Sequence, residues 1–456
     1  MMRFNRKTLA CSIMALSLAS VGPTALAKVS EEEAARLGNE LTPVGAERAG
    51  NGDEIPEWTG GYSTPPEGFS EGGHYLDPFP EDEPLFIIDR SNVEEHKARL
   101  SPGQVAMIER YEDYKIPVYK TRRTAGYPER IYDVARKNAT NTTLVAGGNG
   151  LNDFDTSVPF AIPENGVEVV WNHITRYRGG AVQRNVGQVT PQTDGDYSLV
   201  QFEDEITWRT SLQDYQPGED SNVLFYFRQE ITAPSRLAGN VLLVHETIDQ
   251  VKEQRRAWVY NAGQRRVRRA PQVAYDGPGT AADGMRTTDN FDMFNGSPDR
   301  YNWELKGKKE MYIPYNSYRL DNPELSYDDL IKAGHINQDH ARYELHRVWH
   351  VTATLKEGER HIYAKRDMYF DEDTWAASLI DHYDGRGELW RVAEGHNMQM
   401  YDQEVPWLAV EALYDLLSGR YLVLGLTNEV RNPYTFGIQR SFNDYTPAAL
   451  RRSGRR

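Results

Sequence analysis

The feature that most restricts the fold of this chain is an alternation of apolar and polar residues that begins at about residue 166. Side chains on a β-strand point alternately to opposite faces, so a period of two is typical of antiparallel strands with one face in a core. The apolar residues that share a face are Val200, Phe202, Ile206 and Trp208 in SLVQFEDEITW, and Val223, Phe225, Phe227 and Ile231 in NVLFYFRQEI.

The same alternation continues toward the C-terminus. In YELHRVWHVTATL it places Tyr343, Leu345 and Trp349 on one face, and the turns KEGER and DGRG predict two hairpins that follow. Aromatic residues form 11% of the chain although the mean hydropathy is −0.68, as expected for many half-buried strands. The pattern predicts a mainly β fold with some helix.

Other stretches predict helix or irregular structure. Residues 28–84 are dense in glycine, proline and acidic residues, which predicts an irregular N-terminal extension. Residues 92–114 have helical periodicity, with Ser101 as an N-cap and Pro102 in the first turn. PWLAVEALYDLLSGR predicts a closing helix from Pro406 to Gly419. Residues 85–456 are expected to form a single large β-rich domain.

The N-terminus has the pattern of a secretory signal over residues 1–27. Basic residues precede a short apolar stretch, Leu9 to Ala19, and the small residues before Lys28 fit a cleavage site. The only cysteine, Cys11, lies in this segment, so the mature chain is expected to form no disulfide. No later apolar run is long enough for a membrane helix. We therefore expect an exported protein.

A basic segment contrasts with the formal net charge of −15. RRAWVYNAGQRRVRRAP, residues 255–271, has six arginines and predicts a hairpin around Gly263. An acidic secreted chain repels nucleic-acid phosphates, so we predict no nucleic-acid partner. Two interpretations stay open, a solvated hairpin face and a basic rim that meets an anionic ligand. The candidate rim residues are Arg265, Arg266, Arg268 and Arg269, with Arg266 and Arg268 on one side of the strand.

The sequence has neither a Walker A motif nor a G-x-S-x-G motif. HRVWH spaces two histidines four apart but lacks the glutamate of a zinc helix and lies in a strand pattern. DNFDMFNGSPD does not have the oxygen spacing of a calcium loop. The carboxylates of FDEDTW and DHYDGRGE leave a glycoside hydrolase as an alternative. Otherwise we expect no enzyme, no cofactor and no metal site.

Four stretches taken together resemble a known family. They are LTPVGAERAGNGDEIPEWTGG, VPFAIPENGVEVVWNHITRYRGG, RAWVYNAGQRRVRRAP and YDGRGELWRVAEGH. The chain is identified by them as a member of the bacterial domain-of-unknown-function family 1329, which is similar to LolA/LolB-type outer-membrane lipoprotein-sorting proteins. The resemblance covers essentially the whole mature chain. One departure is Ala161, where the family pattern leads us to expect proline.

The resemblance implies a strongly curved antiparallel sheet, a LolA/LolB-like half-barrel with helices on its concave side. It further implies a carrier or chaperone for a lipid or other hydrophobic molecule in the periplasm of a Gram-negative bacterium. The partners it implies are a resistance-nodulation-division-type exporter and an outer-membrane protein. The alternative is a structural or assembly partner of an envelope complex, with a closed core. The residues expected to face the apolar concave side are Phe225, Phe227, Tyr343, Leu345 and Trp349.

Overall fold

The structure is a computed structural model that describes residues 29–219, 221–271, 273 and 275–453. The predicted signal, residues 1–27, lies outside this part of the chain. The strands are β1 Phe86–Ile88, β2 Ile116–Val118, β3 Thr143–Leu144, β4 Leu151–Asn152, β5 Ala181–Val189, β6 Leu199–Trp208, β7 Val223–Ala233, β8 Val241–Thr247, β9 Arg256–Asn261, β10 Arg266–Arg269, β11 Tyr301–Pro314, β12 Tyr343–Leu355, β13 Lys365–Asp371, β14 Ala377–Tyr383, β15 Leu389–Met400, β16 Val405–Asp415, β17 Tyr421–Leu426 and β18 Tyr434–Phe436. The α-helices are α1 Glu31–Ala34, α2 Val93–His96, α3 Pro102–Arg110, α4 Glu129–Asn141, α5 Gly166–Ile174, α6 Tyr327–Leu330 and α7 Pro447–Ser453.

One long sheet contains all of these strands except β3 and β4, which pair with each other. Its main path is β1-β2-β12-β13-β14-β15-β16-β17-β5-β6-β7-β8-β9-β10, and β11 and β18 pair with β12 and β5 from outside this path. The pairs are antiparallel except for a single parallel contact between Tyr343 of β12 and Val118 of β2. The path does not return to its first strand, so the sheet is open. The predicted mainly β fold is confirmed.

Both faces of the middle of the sheet are covered. On β17, Leu422 and Leu424 belong to the largest apolar core, whereas Tyr421 and Val423 point into a second core on the other face. All six residues of β17 are buried. An antiparallel strand covered on both faces has a continuous apolar sequence, because neither set of side chains meets water.

This double burial explains why the predicted closing helix is wrong. Residues 405–415 form strand β16, and all eleven are buried. Leu408 and Leu413 enter the first core, and Val410 and Tyr414 enter the second. A short apolar run that is buried on all sides has the same appearance in a strand as in a helix, so its periodicity does not distinguish the two.

The helices cover particular parts of the sheet. The prediction for residues 92–114 is confirmed by α2 and α3, and the Ser101 hydroxyl accepts a hydrogen bond from the Gln104 N–H at 3.1 Å at the start of α3. The alternation predicted from about residue 166 starts later, because residues 166–174 form α5. This helix packs on β11 and β12, and its Trp171 is fully buried.

Residues 29–84 contain α1 and otherwise lack helices and sheet strands. They nevertheless pack on the body of the protein. The indole N–H of Trp58 donates to the Ala125 carbonyl at 2.9 Å, and the Tyr75 hydroxyl donates to Asp402 at 2.8 Å. Both side chains are buried. This segment is therefore an irregular layer over the sheet, fixed by its aromatic side chains.

Candidate functional site

A cavity of about 70 Å³ lies against one face of β7 and β8. Three cross-strand pairs form its floor, Phe225 with Glu246, Phe227 with Val244 and Gln229 with Leu242. Alternation along each strand directs these six side chains to the same face. The opposite wall comes from the segment between β10 and β11, through Val273, Pro278, Gly279, Thr280, Arg286, Thr288, Phe291 and Asn295, and Arg255 completes the lining.

Aromatic side chains make much of this cavity apolar. The Phe227 and Phe291 rings lie 4.9 Å apart across the cavity walls, and Phe225 packs on Trp208 at 5.5 Å between ring centroids. Phe225 and Phe227 are buried. Phenylalanine contributes a large apolar surface without a polar atom that must be satisfied, so this part of the cavity suits a hydrocarbon group.

The cavity also has a polar side, where the carboxylate of Glu246 has an arginine and an amide as partners. Arg255 forms an ion pair with Glu246 at 2.8 Å, and the Asn295 amide donates to the same carboxylate at 3.1 Å. Both side chains of the ion pair are buried. This pair fixes the end of β8 against the loop that carries Asn295, and its charges neutralise each other.

Arg286 is a second cation on the cavity wall, and it is not matched. Its residue is only 4% exposed. Within the described part of the chain, no carboxylate oxygen lies within 4.0 Å of its guanidinium, and its buried Nε has no hydrogen-bond partner. Gly279 lies so close that a Cβ there would stand 3.1 Å from the Arg286 Cζ. Burial lowers the pKa of Arg286 below its usual value.

The carboxylates nearest to Arg286 in electrostatic terms have other partners. Asp204 pairs with Arg184 at 3.1 Å, and Glu411 accepts a hydrogen bond from the Met293 N–H at 2.7 Å. Burial raises the pKa of Glu411 to about 7, so this carboxyl carries less negative charge at neutral pH than an ordinary glutamate. The surroundings of the cavity therefore leave positive charge at Arg286.

The five predicted pocket residues do not meet in one place. Phe225 and Phe227 line the cavity, but Tyr343 and Leu345 belong to the second core on the far part of the sheet. Leu345 borders a separate surface groove of about 480 Å³. Trp349 stacks on Trp375 at 6.3 Å, with the ammonium of Lys308 over its ring. Only the first two lie where the structure has an apolar cavity next to an unmatched cation.

The six arginines of the basic segment divide into two groups. Arg255 pairs with Glu246, and Arg256 pairs with Glu253 at 3.2 Å. The remaining four, the predicted rim residues, are exposed and form no ion pair with any described residue. The hairpin itself is present as β9 and β10, which pair with each other. These four arginines are Arg265, Arg266, Arg268 and Arg269.

The histidines of HRVWH lie on β12 and have separate partners. His346 stacks on Tyr315 at 3.9 Å, and His350 lies 3.4 Å from an Asp367 oxygen. His346, Asp371 and Asp373 could present ligand atoms within 4.8 Å of one another. However, the Arg123 guanidinium already binds both oxygens of Asp373, at 2.7 and 2.9 Å.

Each segment considered for hydrolysis or calcium contains a carboxylate that is bound to a basic side chain. In FDEDTW, Glu372 pairs with Lys308 at 2.7 Å. In DHYDGRGE, Asp384 pairs with Arg386 across the turn at 2.9 Å. In DNFDMFNGSPD, Asp292 binds both Arg176 and Arg178. These acids are held in ion pairs, and the two turn segments do not form a shared cleft with the cavity.

Comparison with known proteins places the chain in a family. A family model described as a protein of unknown function, DUF1329, matches residues 87–451. The chain therefore belongs to the DUF1329 family, as the resemblance in the sequence indicates. An uncharacterized protein of Pseudomonas aeruginosa is 63% identical over 455 residues, which cover 99% of this chain and 100% of that protein.

Solved structures with more distant sequences are also similar in part. A Vibrio parahaemolyticus domain assigned to outer membrane lipoprotein-sorting proteins is 12% identical, with a TM-score of 0.42, and the match covers 60% of this chain and 93% of that one. A LolA superfamily protein of Nitrosomonas europaea is 13% identical, with a TM-score of 0.37, and the match covers 62% of this chain and 98% of that one.

Among the described residues, no helix combines the length and apolar character needed to cross a membrane. The longest, α4, has thirteen residues and carries charged side chains. A membrane-spanning helix needs about twenty predominantly apolar residues.

Sequence reasoning did not find Arg286. It stands alone in GMRTTDN, without a motif or a periodic pattern around it. Nothing in this local sequence distinguishes a buried arginine without a partner from an exposed one. The signal depends on which carboxylates the fold brings near it.

Proposed function

We propose that this protein is a periplasmic carrier or chaperone for a lipid or other hydrophobic molecule, working with an envelope export system. The observation that supports it is the cavity against β7 and β8, whose apolar wall includes Phe225 and Phe227. The proposal includes the finer architecture expected from the resemblance, a curved half-barrel with helices on its concave side. It also includes partners of the exporter and outer-membrane type, and a carrier needs no catalytic residues.

The size of the cavity limits how a ligand could bind. Its volume of about 70 Å³ is well below the roughly 300–1,000 Å³ of sites that enclose a whole drug-sized ligand. A long hydrocarbon chain would therefore require the wall between β10 and β11 to move outward. Each methylene that it buries would contribute about 0.8 kcal/mol.

Native mass spectrometry of protein purified without detergent tests the carrier function, because a retained lipid appears as added mass. A second test is uptake of the neutral fluorescent probe Nile red. Val244→Phe places a ring in the cavity, so we expect loss of probe uptake with little change in melting temperature. A matched control is Val423→Phe on β17. It overpacks a closed core, so we expect the protein to lose about 1–3 kcal/mol of stability.

Probe uptake and lipid retention decide between the carrier and the closed-core alternative. Probe uptake that Val244→Phe abolishes supports an accessible cavity. Absence of probe binding by the unmodified protein, together with no retained lipid, would favour the structural or assembly role. Uptake that persists in a folded Val244→Phe variant would remove this cavity from the proposal.

We further propose that the four rim arginines meet an anionic surface, on a lipid headgroup or a partner protein. Helix α7 packs against β10 and carries two further exposed arginines, Arg451 and Arg452. Arginine binds carboxylate or phosphate through two parallel hydrogen bonds, which lysine does not reproduce. Neutralising the rim is therefore expected to weaken binding to anionic vesicles.

A further inference from the structure

Nine arginines are buried among the described residues, and their ion pairs separate one of them from the rest. Eight have a carboxylate oxygen within 4.0 Å, and Arg286 has none. The eight are Arg123, Arg176, Arg178, Arg184, Arg342, Arg347, Arg366 and Arg391.

A buried charge without a partner is costly, since its desolvation is not offset by an ion pair. Arg286 is also the unmatched cation on the cavity wall, because the other guanidinium there, that of Arg255, is bound to Glu246. The wall of an apolar cavity therefore carries a positive charge without an ion-pair partner. A ligand that supplied an anion would complete the hydrogen bonding that the protein leaves open.

We infer that Arg286 binds the headgroup of an amphiphile, a carboxylate or phosphate attached to an alkyl chain. This inference rests on the proposed carrier function and specifies the class of ligand. The guanidinium donates to the anionic oxygens, and the alkyl group lies along Phe225, Phe227 and Leu242. The Phe291 ring, 5.5 Å from the Arg286 Cζ, closes the same wall. Gly279 leaves the guanidinium room, since any side chain there would press on it.

The two ends of such a ligand need different surroundings, and the cavity provides both within one space. On the floor, Phe225, Phe227, Leu242 and Val244 offer apolar surface beside Gln229 and the paired Glu246, whereas Arg286 lies on the opposite wall. A neutral hydrocarbon would occupy the apolar part of the floor and leave Arg286 without an anion. An anion without a chain would do the reverse. The chemistry therefore favours a molecule that has both parts.

The test measures displacement of Nile red from the full mature chain by dodecanoate, dodecyl phosphate and dodecanol, each below its micelle concentration. A hydrogen bond to a charged group contributes about 1.5–3 kcal/mol, which corresponds to a factor of about 10–150 in affinity. We expect at least one of the two anions to displace the probe at a concentration at least tenfold below that of dodecanol. Acetate and inorganic phosphate are expected to displace none.

Arg286→Met keeps the length and the apolar stem of the side chain and removes the charge. We expect it to abolish the preference for the anion and to leave dodecanol binding unchanged. Arg265→Met is the matched control, because it removes one positive charge from the exposed hairpin. Should Arg286→Met fail to fold, Arg286→Gln is measured in its place, and the comparison of anion with alcohol in the unmodified protein needs no variant.

Several results would overturn the inference while the carrier function stands. These are equal displacement by anion and alcohol in the unmodified protein, an equal loss of both in Arg286→Met, and the same preference loss in Arg265→Met. Acetate or phosphate alone could raise the melting temperature of the unmodified protein and fail to do so in Arg286→Met. That result would show a site for a free anion and would also overturn the inference. If Nile red and all three amphiphiles fail to bind and the purified protein retains no lipid, the carrier function itself is wrong.

Discussion

The region around β12 and β13 and the region around the cavity contain similar buried charges, arranged differently. In the first, Arg123 lies against Asp373, and Glu372 receives both Lys308 and Arg347. In the second, Arg286 has no such partner. Removing one member of a buried ion pair leaves an uncompensated charge, whereas an unmatched arginine has no partner to lose. Burial of an arginine therefore does not by itself indicate a structural role.

The largest expected effect is on stability, and it compares the same substitution in both regions. Arg123→Met leaves Asp373 beside Asp371 without its guanidinium, and it removes hydrogen bonds to the Glu47 and Arg48 carbonyls. We expect a loss of about 3–5 kcal/mol in the free energy of unfolding. Arg286→Met is expected to change it by less than about 1 kcal/mol.

Urea unfolding followed by circular dichroism measures both variants at pH 7. Similar losses in the two variants would contradict the comparison, because they would mean that Arg286 has a structural partner. A loss of stability in Arg286→Met alone would mean that Arg286, and not Arg123, has the structural role.

A smaller effect concerns pH, and it compares two acids near the cavity. Arg176 and Arg178 hold the pKa of Asp292 well below its usual value, against the effect of burial, whereas burial raises the pKa of Glu411 from 4.5 to about 7. An acid whose pKa rises on folding binds its proton more tightly in the folded protein. Its contribution to the free energy of unfolding therefore falls as pH rises from 4.5 to about 7.

Glu411→Gln removes this titration and keeps an oxygen that can accept from the Met293 N–H. We expect the variant and the unmodified protein to be similar below pH 4.5. Above pH 7 the variant should be more stable by about 1–3 kcal/mol. Unfolding in urea at several pH values measures the difference, and a difference that does not change with pH would refute the assignment of the titration to Glu411.

The smallest stability effect is expected at the arginine hairpin, where charges are exposed and unmatched. Replacing Arg265, Arg266, Arg268 and Arg269 with glutamine breaks no ion pair among the described residues, so the melting temperature should hardly change. Binding to vesicles of anionic lipid should weaken, most clearly at low salt, because exposed charges are screened at high salt.

A control with the same change in net charge replaces four exposed arginines elsewhere, Arg36, Arg90, Arg236 and Arg360. Vesicle binding that falls equally in both variants would mean that only net charge matters. A large drop in melting temperature with unchanged binding would mean that the hairpin arginines are structural.

The candidate site could be predicted only in part. Alternation placed Phe225 and Phe227 on one face of β7, and this face borders the cavity, because side-chain direction along a strand is a local property. It could not show that seven other strands separate β12, with Tyr343 and Leu345, from β7 in the sheet. The order of strands depends on pairing between residues far apart in the chain.

Local sequence was enough to predict the mainly β fold, the capped helix at Ser101, the arginine hairpin and the family. Each depends on a local period, a turn or a motif. That residues 405–415 form a strand depends on long-range packing, because both faces of β16 are covered by distant residues. The same holds for Arg286, which has no carboxylate partner among the described residues, since a charge is matched or unmatched according to what the fold brings within a few ångströms of it.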